Sequence, residues 1–256
     1  MAVWNEISLS KLELNRIDAE FYKPAYLSAK STAGEKRLKQ YGVNVLHPAE
    51  FTRRYSDDGL LILLAQNNRN NYFDWSVKRF VTHDLLNFIS RNRIEFGDVT
   101  ITRSGANYGQ TSVVGIELEQ NEIFACADLL VLKTSTLDGH LLATYFNTSI
   151  GRRLLERGAY GAAQPHIAPK YIKEIPFPEF LIDFEEEIKN LVIQSRKCSK
   201  ESEDLIKLSQ HLIESELGLD KLNFKKPVGY TAWFSELEKS RRLDSEHFYP
   251  AFHNLV

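Results

Sequence analysis

Cysteine is scarce in this sequence, and its placement excludes two common ways of stabilising a fold. The 256 residues contain two cysteines, Cys126 and Cys198, which lie in different segments. Neither belongs to a CxxC pair or stands beside a histidine at the spacing of a metal site. A disulfide framework and a structural zinc site are therefore excluded, and we predict no bound metal.

Long apolar runs and an excess of charge are also missing. The longest apolar run covers residues 60–65, far short of the roughly 20 residues that a membrane helix needs. The first ten residues have neither the basic nor the apolar region of a signal peptide, so we expect a cytoplasmic protein. The 34 acidic and 32 basic residues nearly balance, so any role in nucleic-acid binding must depend on local charge.

The motifs of common enzyme classes are absent too. The sequence has no GxGxxG or GxxxxGK[ST] phosphate loop, no GxSxG elbow, no HExxH, and no DPPY-like or NPPF-like tetrapeptide. A nuclease pattern of the D…ExK type fits Asp183, Glu187 and Lys189 poorly, because they lie within a few positions at the start of an acidic helix. His166 has no nearby carboxylate or cysteine to complete a triad. We therefore predict no catalytic residue in this chain.

The patterns that are present indicate a mixed fold. Residues 60–65 and 124–134 predict buried strands, and residues 93–116 predict a hairpin with a polar tip, because Val99 and Ile101 alternate with Thr100 and Thr102. Residues 138–159 have helical spacing, and residues 159–180 predict a loop, punctuated by glycine and proline, that leads into a short strand. The fold class is therefore α/β (α+β).

Residues 183–217 contain neither proline nor glycine and predict one helix roughly 50 Å long. Positions alternately four and three apart form a heptad seam with apolar ends and a small, polar middle. A helix of this length needs a partner for its stripe. A dedicated interface, in a dimer or with another subunit, is favoured over packing on its own domain. The seam consists of Phe184, Ile188, Leu191, Ser195, Cys198, Ser202, Leu205, Ser209, Leu212 and Glu216.

Three polar clusters on predicted loops contain side chains of the types that read base edges. Arginine pairs with guanine, and asparagine and glutamine pair with adenine. Solvated loops without any target have the same composition, so that alternative stays open. The candidates are Gln66, Asn67, Asn68, Arg69, Asn70 and Asn71 in the first cluster, Arg103, Ser104, Asn107, Tyr108 and Gln110 at the hairpin tip, and Tyr160, Gln164, His166 and Lys170 in the third.

Charge is divided unevenly along the chain. Residues 150–173 hold five basic side chains and one acidic side chain, whereas residues 183–220 hold ten acidic and five basic ones. A basic region that contacts phosphates is thus predicted to precede an acidic helix that binds protein. Arg152, Arg153 and Lys170 are the predicted phosphate contacts. The first choices for base contacts are Gln66, Asn68, Arg69, Arg103, Asn107 and Gln164.

An internal repeat links the two ends of the sequence. The segment RIDAEFYKPAY begins at Arg16 and RLDSEHFYPAF begins at Arg242. Five of the eleven aligned positions are identical, and four more are close substitutions. A repeated opening of this kind predicts that a second, similar unit begins near residue 242.

The stretches FGDVTITRSGANYG and ATYFNTSIGRRLLERGAYGAAQPHIAPKYIKEIPFP, followed by the heptad helix, resemble one module of the DNA specificity subunit of type I restriction-modification systems. The resemblance covers about residues 93–217. It implies a target recognition domain with a curved mixed β-sheet over 1–180, a conserved spacer helix over 181–220, and the incomplete start of a second repeat over 221–256.

The same resemblance implies the function and the partners. The chain would read double-stranded DNA without catalysing a reaction, and it would direct methyltransferase subunits, and through them a restriction subunit, to the target. S-adenosylmethionine would be bound by the methyltransferase partner and not by this chain. With one recognition domain, two copies joined through the helix would read an inverted repeat.

Two alternatives belong to other classes. The chain could be the recognition part of a fused restriction–methyltransferase enzyme. The opening at Met1, which resembles a true N-terminus, speaks against this. It could also be a protein-interaction module whose helix dimerises and whose loops bind no nucleic acid.

Overall fold

The computed structural model describes residues 5–13, 16–105, 107–115, 121–161, 164–219 and 231–249. The chain divides into two compact units, Met1–Lys197 and Cys198–Val256. Over the described ranges, no helix is both long enough and apolar enough to cross a bilayer. The predicted boundary at residue 180 stays a prediction, although the first unit continues to Lys197.

The described elements mix short strands with helices. The strands are β1 (Asn44–Leu46), β2 (Tyr55–Ser56), β3 (Leu60–Leu63), β4 (Phe80–Val81), β5 (Val99–Thr102), β6 (Thr111–Val113), β7 (Ile123–Ala125), β8 (Leu129–Lys133), β9 (Ala159–Tyr160) and β10 (His166–Ile167). The α-helices are α1 (Pro24–Ala33), α2 (Leu86–Ile89), α3 (Gly139–Asn147), α4 (Ser149–Arg157), α5 (Pro169–Lys173), α6 (Glu185–Glu216) and α7 (Phe234–Ser240). Short 3₁₀ turns fill several connections, among them Ala19–Tyr22, Glu179–Phe184 and Ser245–Phe248.

Two four-stranded sheets build the first unit. One is antiparallel in the order β1-β8-β5-β6, and the other, β2-β4-β3-β7, is mixed because β3 and β7 run parallel. Strand β8 shows how the sheets are stacked. Leu130 and Leu132 belong to the core that packs on the helices, whereas Leu129 and Val131 belong to the core shared with the second sheet. Alternate side chains of a strand point to opposite faces, so both faces are buried, and the α+β prediction is confirmed.

The hairpin prediction is confirmed, and both faces of β5 are buried. Strands β5 and β6 pair antiparallel in the register Val99–Val113 and Ile101–Thr111. Val99 and Ile101 join the helical core as expected. Thr100 and Thr102, on the opposite face, are fully buried as well, because their hydroxyl groups find partners inside the protein.

The single strand predicted over 124–134 is wrong. The chain leaves the mixed sheet after β7, turns at residues 126–128, and enters the antiparallel sheet as β8. Two strands of different sheets therefore share one apolar run. Hydrophobic periodicity does not detect a turn between two strands that are both buried.

The helical segment predicted over 138–159 is two helices, α3 and α4. The Asp138 carboxylate accepts a hydrogen bond from His140 N at 2.7 Å, and Thr148 Oγ1 accepts one from Gly151 N at 3.1 Å, so each helix has its own cap. A Cβ on Gly151 would lie 2.1 Å from the Tyr145 carbonyl oxygen. Glycine at this position permits the close joint between the two helices.

The segment 159–180 has more structure than the predicted loop and strand. It contains the ribbon β9–β10 and the helix α5, and it ends in a bridge between Arg37 and Pro176. The first copy of the repeat packs against this region. Phe21 is fully buried in the helical core, and the Arg16 guanidinium donates a hydrogen bond to the Ala159 carbonyl at 3.2 Å.

The long helix is present as α6, preceded by the 3₁₀ turn Glu179–Phe184. Ile182 and Ile188 pack against the helical core. Part of the predicted seam therefore packs on its own domain, which was the less favoured alternative. The seam residues Leu191, Leu205 and Leu212 are each about 60% exposed.

Candidate functional site

The loop between β5 and β6 presents the polar tip of the hairpin. It is closed by hydrogen bonds from Gly109 N to the Thr102 carbonyl at 2.6 Å and from Thr102 N to the Gln110 carbonyl at 2.8 Å. Gly105 and Gly109 have φ values of 88° and 79°, which side chains other than glycine rarely adopt. The closed turn holds the tip residues on a rigid support.

The ribbon β9–β10 joins this tip through backbone contacts. Ser104 bridges to His166, and Ile167 N donates to the Arg103 carbonyl at 3.1 Å. The rings of Tyr160 and His166 lie 6.2 Å apart. Two predicted clusters that are about 60 residues apart in the chain therefore form one surface.

A third segment, the turn between β7 and β8, completes this surface. The Asp128 carbonyl accepts from Arg103 N at 2.8 Å, and its carboxylate accepts from Ser104 Oγ at 3.0 Å and from Arg53 Nη2 at 2.6 Å. We call the tip of β5–β6, the ribbon β9–β10 and the turn 126–128, together with Arg53, the hairpin junction.

Sequence reasoning missed Arg53 and Asp128. A signal for Asp128 was available, because a single acidic residue interrupts the apolar run of 124–134. A signal for Arg53 was weaker, since Arg53 and Arg54 form an ordinary basic pair before β2. That the two side chains meet depends on the packing of distant segments.

The predicted phosphate contacts lie on the helices beside the junction. The Arg152 guanidinium is 5.7 Å from the centre of the Tyr108 ring and also pairs with Glu156 at 3.3 Å. Arg153 in α4 and Lys170 in α5 are exposed. Arg157, which contributed to the basic composition of this region, is instead buried over the Phe21 ring at 3.8 Å and is unavailable to an outside ligand.

The first polar cluster divides into structural and exposed residues. Asn67 and Asn68 are buried, which corrects their assignment as contact residues. Asn67 Nδ2 donates to the carbonyls of Asp74 and Val77, and its Oδ1 accepts from Leu64 N. These bonds shape the loop after β3.

The Asn68 side chain connects that loop to the hairpin. Its Nδ2 donates to the carbonyls of Thr100 and Gln110 and to Thr102 Oγ1, and its Oδ1 accepts from Thr100 Oγ1. Both threonines on the second face of β5 find their partner here. The amide is thereby engaged on both sides and supports the hairpin from within.

The remaining members of the first cluster stay on the surface. Gln66 and Asn70 are exposed, and Arg69 pairs with Asp74 at 3.5 Å. Asn71 has a positive φ of 65°, and its backbone N–H donates to the Thr111 carbonyl at 2.8 Å. Gln66, Asn70 and Arg69 remain candidates for ligand contact.

Several polar atoms at the junction are buried and have no hydrogen-bond partner among the residues described. They are Arg103 Nε, Gln110 Oε1 and His166 Nδ1. An unpaired buried polar group costs about 1–3 kcal/mol. Unpaired buried polar groups are exceptions in native proteins and occur at strained or functional sites.

The ionisation of two groups at the junction follows from their surroundings. Burial raises the pKa of the Asp128 carboxyl, but the hydrogen bonds from Arg53 and Ser104 outweigh it, so the pKa lies below its ordinary value. Burial raises the pKa of the neighbouring Cys126 thiol. At neutral pH Asp128 is therefore a carboxylate, and Cys126 is a neutral thiol. No group of histidine, cysteine and carboxylate side chains suited to a metal occurs within the described part of the chain.

A second candidate surface lies on the distal part of α6. From Cys198 to Glu216 every residue is exposed. Because an α-helix turns by 100° per residue, the seam residues from Cys198 to Glu216 form one row along the helix. Leu205 and Leu212 lie towards one edge of this row, and Ile206 and Ile213, which are outside the seam, extend it at the other edge. Leu205, Ile206, Leu212 and Ile213 are each more than half exposed. This row is called the distal stripe below.

No family model and no curated protein matches the chain. A structure described as the basis of assembly and conformational transition of the type I R-M system matches at 14% identity and a TM-score of 0.40, over 75% of this chain and 51% of the other. A type I R-M S subunit from M. genitalium matches at 15% identity and 0.44, over 71% and 42%. The type IIG restriction endonuclease BpuSI matches at 10% and 0.48, over 68% and 29%.

The chain thus spans about half or less of the length of these proteins. Two of them come from the kind of system whose specificity subunit the motifs of 93–217 resemble.

Proposed function

We propose that this chain recognises double-stranded DNA by sequence, as the non-catalytic specificity component of a type I restriction-modification system. The observation that carries the proposal is the hairpin junction. It brings Arg103, Gln110, Tyr160 and His166 from separate segments onto one rigid support. The motif resemblance of residues 93–217 supports the same assignment.

The chemistry of the junction suits base reading. Arginine, asparagine, glutamine and histidine are planar or forked hydrogen-bonding groups, and a two-stranded ribbon fits the major groove. The side chains of Arg103, Gln110 and His166 are half-buried, so the exposed part of each would contact base edges. Arg152, Arg153 and Lys170 flank the junction and would contact phosphates, which position the duplex without specifying its sequence.

The distal stripe supports the proposal about partners. Its exposed leucines and isoleucines would be covered by the same helix of a second copy, so that two junctions would read an inverted repeat. The acidic helix α6 would dock methyltransferase subunits, which bind S-adenosylmethionine and recruit the restriction subunit. Chemistry on DNA would then occur on those partners.

A second candidate function is protein interaction alone. The observation that favours it is the same distal stripe, because an apolar helix face of this kind serves any helical partner. On this view the polar junction is a solvated surface and no duplex is bound. The two candidates differ in one measurable property, which is binding to DNA.

Duplex binding by fluorescence anisotropy at several salt concentrations tests the proposal. We expect wild type to bind a random duplex pool with an affinity that falls steeply with salt, and to enrich one sequence from that pool. Arg103→Gln should lower the preference for the enriched sequence about 10- to 100-fold. Arg152→Gln should weaken binding to all duplexes equally and reduce the salt slope by about one.

The control is Lys36→Gln, which removes one positive charge from a surface pair with Glu179, outside the junction. It should behave as wild type. If wild type shows no salt-dependent binding and no enrichment, DNA recognition is rejected and the interaction function stands.

A further inference from the structure

An acidic residue at the centre of the hairpin junction needs an explanation. The Asp128 carboxylate is ionised and accepts hydrogen bonds from Arg53 Nη2 and Ser104 Oγ, while the backbone carbonyl of Asp128 accepts one from Arg103 N. DNA phosphates repel a carboxylate, and like charges brought together at an interface cost binding energy. A surface that only had to attract DNA would be better without it.

The fold has little need of this negative charge. The backbone carbonyl of Asp128 holds Arg103 N, and one carboxylate oxygen holds Ser104 Oγ. An asparagine would preserve both contacts, because it keeps the backbone and one side-chain oxygen. The negative charge itself forms an ion pair with Arg53. The Arg53 and Asp128 side chains in this pair are 40% and 39% exposed. Ion pairs with this much exposure contribute little to stability.

We infer that Asp128 is a specificity-determining residue of the junction, which restrains Arg53 and keeps it from binding phosphates indiscriminately. This inference rests on the proposed function. The carboxylate occupies the Arg53 guanidinium in the free protein, so that Arg53 is not available for the backbone of an unrelated duplex. On the correct duplex, the carboxylate accepts a hydrogen bond from the exocyclic amine of cytosine or adenine, which compensates for the repulsion.

The substitution Asp128→Asn separates this role from a structural one. It releases Arg53 while preserving the shape of the side chain. Affinity for the random duplex pool should rise about fivefold to tenfold, because one repulsive charge is removed and one arginine is gained. The salt slope on that pool should steepen by about one unit. The preference for the enriched sequence over the pool should fall about tenfold.

A double variant identifies Arg53 as the residue released. Arg53→Gln combined with Asp128→Asn should return affinity and salt slope on the random pool to wild-type values. The preference for the enriched sequence should stay low in the double variant. The coupling between the two positions is read from the cycle of single and double variants.

The matched control is Glu95→Gln, which removes the same charge at the other end of the sheet. Glu95 pairs with Lys133, at the opposite end of β8 from the turn that holds Asp128. This variant should leave the preference unchanged and alter binding to the pool by less than twofold.

Three results would overturn the inference. In one, Asp128→Asn behaves as Glu95→Gln does. In another, the Asp128→Asn variant melts at a lower temperature and loses affinity equally for the random duplex pool and for the enriched sequence. That result would indicate a purely structural role. In the third, wild type binds no duplex, and then the proposed function fails as well. Wild-type binding is measured first, so the two failures are distinguished.

Discussion

The two halves of α6 have different surroundings although they belong to one uninterrupted helix. In the first half, Ile188 packs on the helical core of the first unit. There the Arg196 guanidinium donates to the Asn71 carbonyl at 2.7 Å, and to Ser112 Oγ and the Val113 carbonyl at 2.9 Å each. In the second half, from Cys198 to Glu216, all side chains are exposed.

The difference shows that the heptad pattern has two uses along the same helix. The proximal turns attach the helix to the domain, partly through apolar packing and partly through one arginine that lies outside the seam. That arginine reaches the base of the β5–β6 hairpin and the loop after β3, which are the supports of the hairpin junction. The distal turns retain an apolar face that nothing in the described second unit buries.

The largest effect should come from breaking the polar attachment. Arg196→Met should destabilise the first unit by about 2–4 kcal/mol, because charge-assisted hydrogen bonds are lost and buried carbonyl groups lose their donor. Chemical denaturation followed by tryptophan fluorescence measures this loss. Arg196→Lys should recover only part of it, since an ammonium group does not reproduce the fork of a guanidinium.

The control for that prediction is the exposed neighbour, Lys197→Met, which should change stability by less than about 0.5 kcal/mol. Equal stability of the Arg196→Met and Lys197→Met variants would show that α6 is not attached through Arg196.

A smaller effect should follow from removing apolar contact. Ile188→Ala should cost about 1–2 kcal/mol, less than a fully buried isoleucine, because Ile188 is only partly buried. Leu212→Ala, in the distal half, should cost less than about 0.5 kcal/mol at protein concentrations low enough for the single chain to predominate. The urea concentrations at the midpoint of unfolding, compared between variants that have the same dependence of unfolding free energy on urea, test this contrast. Similar losses at both positions at those low concentrations would mean that the distal stripe is buried within the single chain.

The smallest effect on stability, and a large one on assembly, should come from charging the distal stripe. We expect wild type to have a solution mass of twice the 29.5 kDa of one chain. Leu205→Asp with Leu212→Asp should reduce it to that of a single chain, and the midpoint of unfolding should then no longer depend on protein concentration. Light scattering over a concentration series measures the mass.

The matched control for assembly is His211→Asp, which places a charge on the opposite side of the helix. It should keep the mass of wild type. A wild type that has the mass of one chain at every concentration would reject self-association through the stripe.

Much of the local structure was predictable from the residues. The alternation of Val99 and Ile101 with two threonines indicated the hairpin, and the absence of proline and glycine over 183–217 indicated α6. Both signals depend on neighbours within one element, where the period of side chains is decisive. The two helices α3 and α4 were merged, because Thr148, the cap of α4, lies in a short polar stretch over residues 147–149 that a single helix would also accommodate.

The candidate site was only partly predictable. The tip and the ribbon were identified by residue type, but Asn67 and Asn68 were assigned to a ligand when they hold the loop and the hairpin together. The sequence does not distinguish an asparagine whose amide contacts solvent from one whose amide is hydrogen-bonded to buried backbone groups. Asp128 was missed because its partners, Arg53 and Ser104, come from distant segments.

The two copies of the internal repeat show which features depend on local contacts and which depend on tertiary packing. Arg16 makes two contacts of 2.6 and 2.7 Å with Asp18, and Arg242 makes the same two contacts with Asp244. Each pair precedes a 3₁₀ turn, Ala19–Tyr22 and Ser245–Phe248. The sequence by itself determined these turns, because the arginine–aspartate pairs and the backbone hydrogen bonds that the two copies share lie within about seven residues.

Only the tertiary structure decided what the first copy does. Phe21 is buried with the Arg157 guanidinium above its ring, and Arg16 reaches the carbonyl of Ala159. These partners lie more than 130 positions away in the chain, where no local pattern indicates them. The same holds for Asp128 at the hairpin junction and for Arg196 at the base of the hairpin, since a contact between distant segments exists only once the sheets and helices have packed.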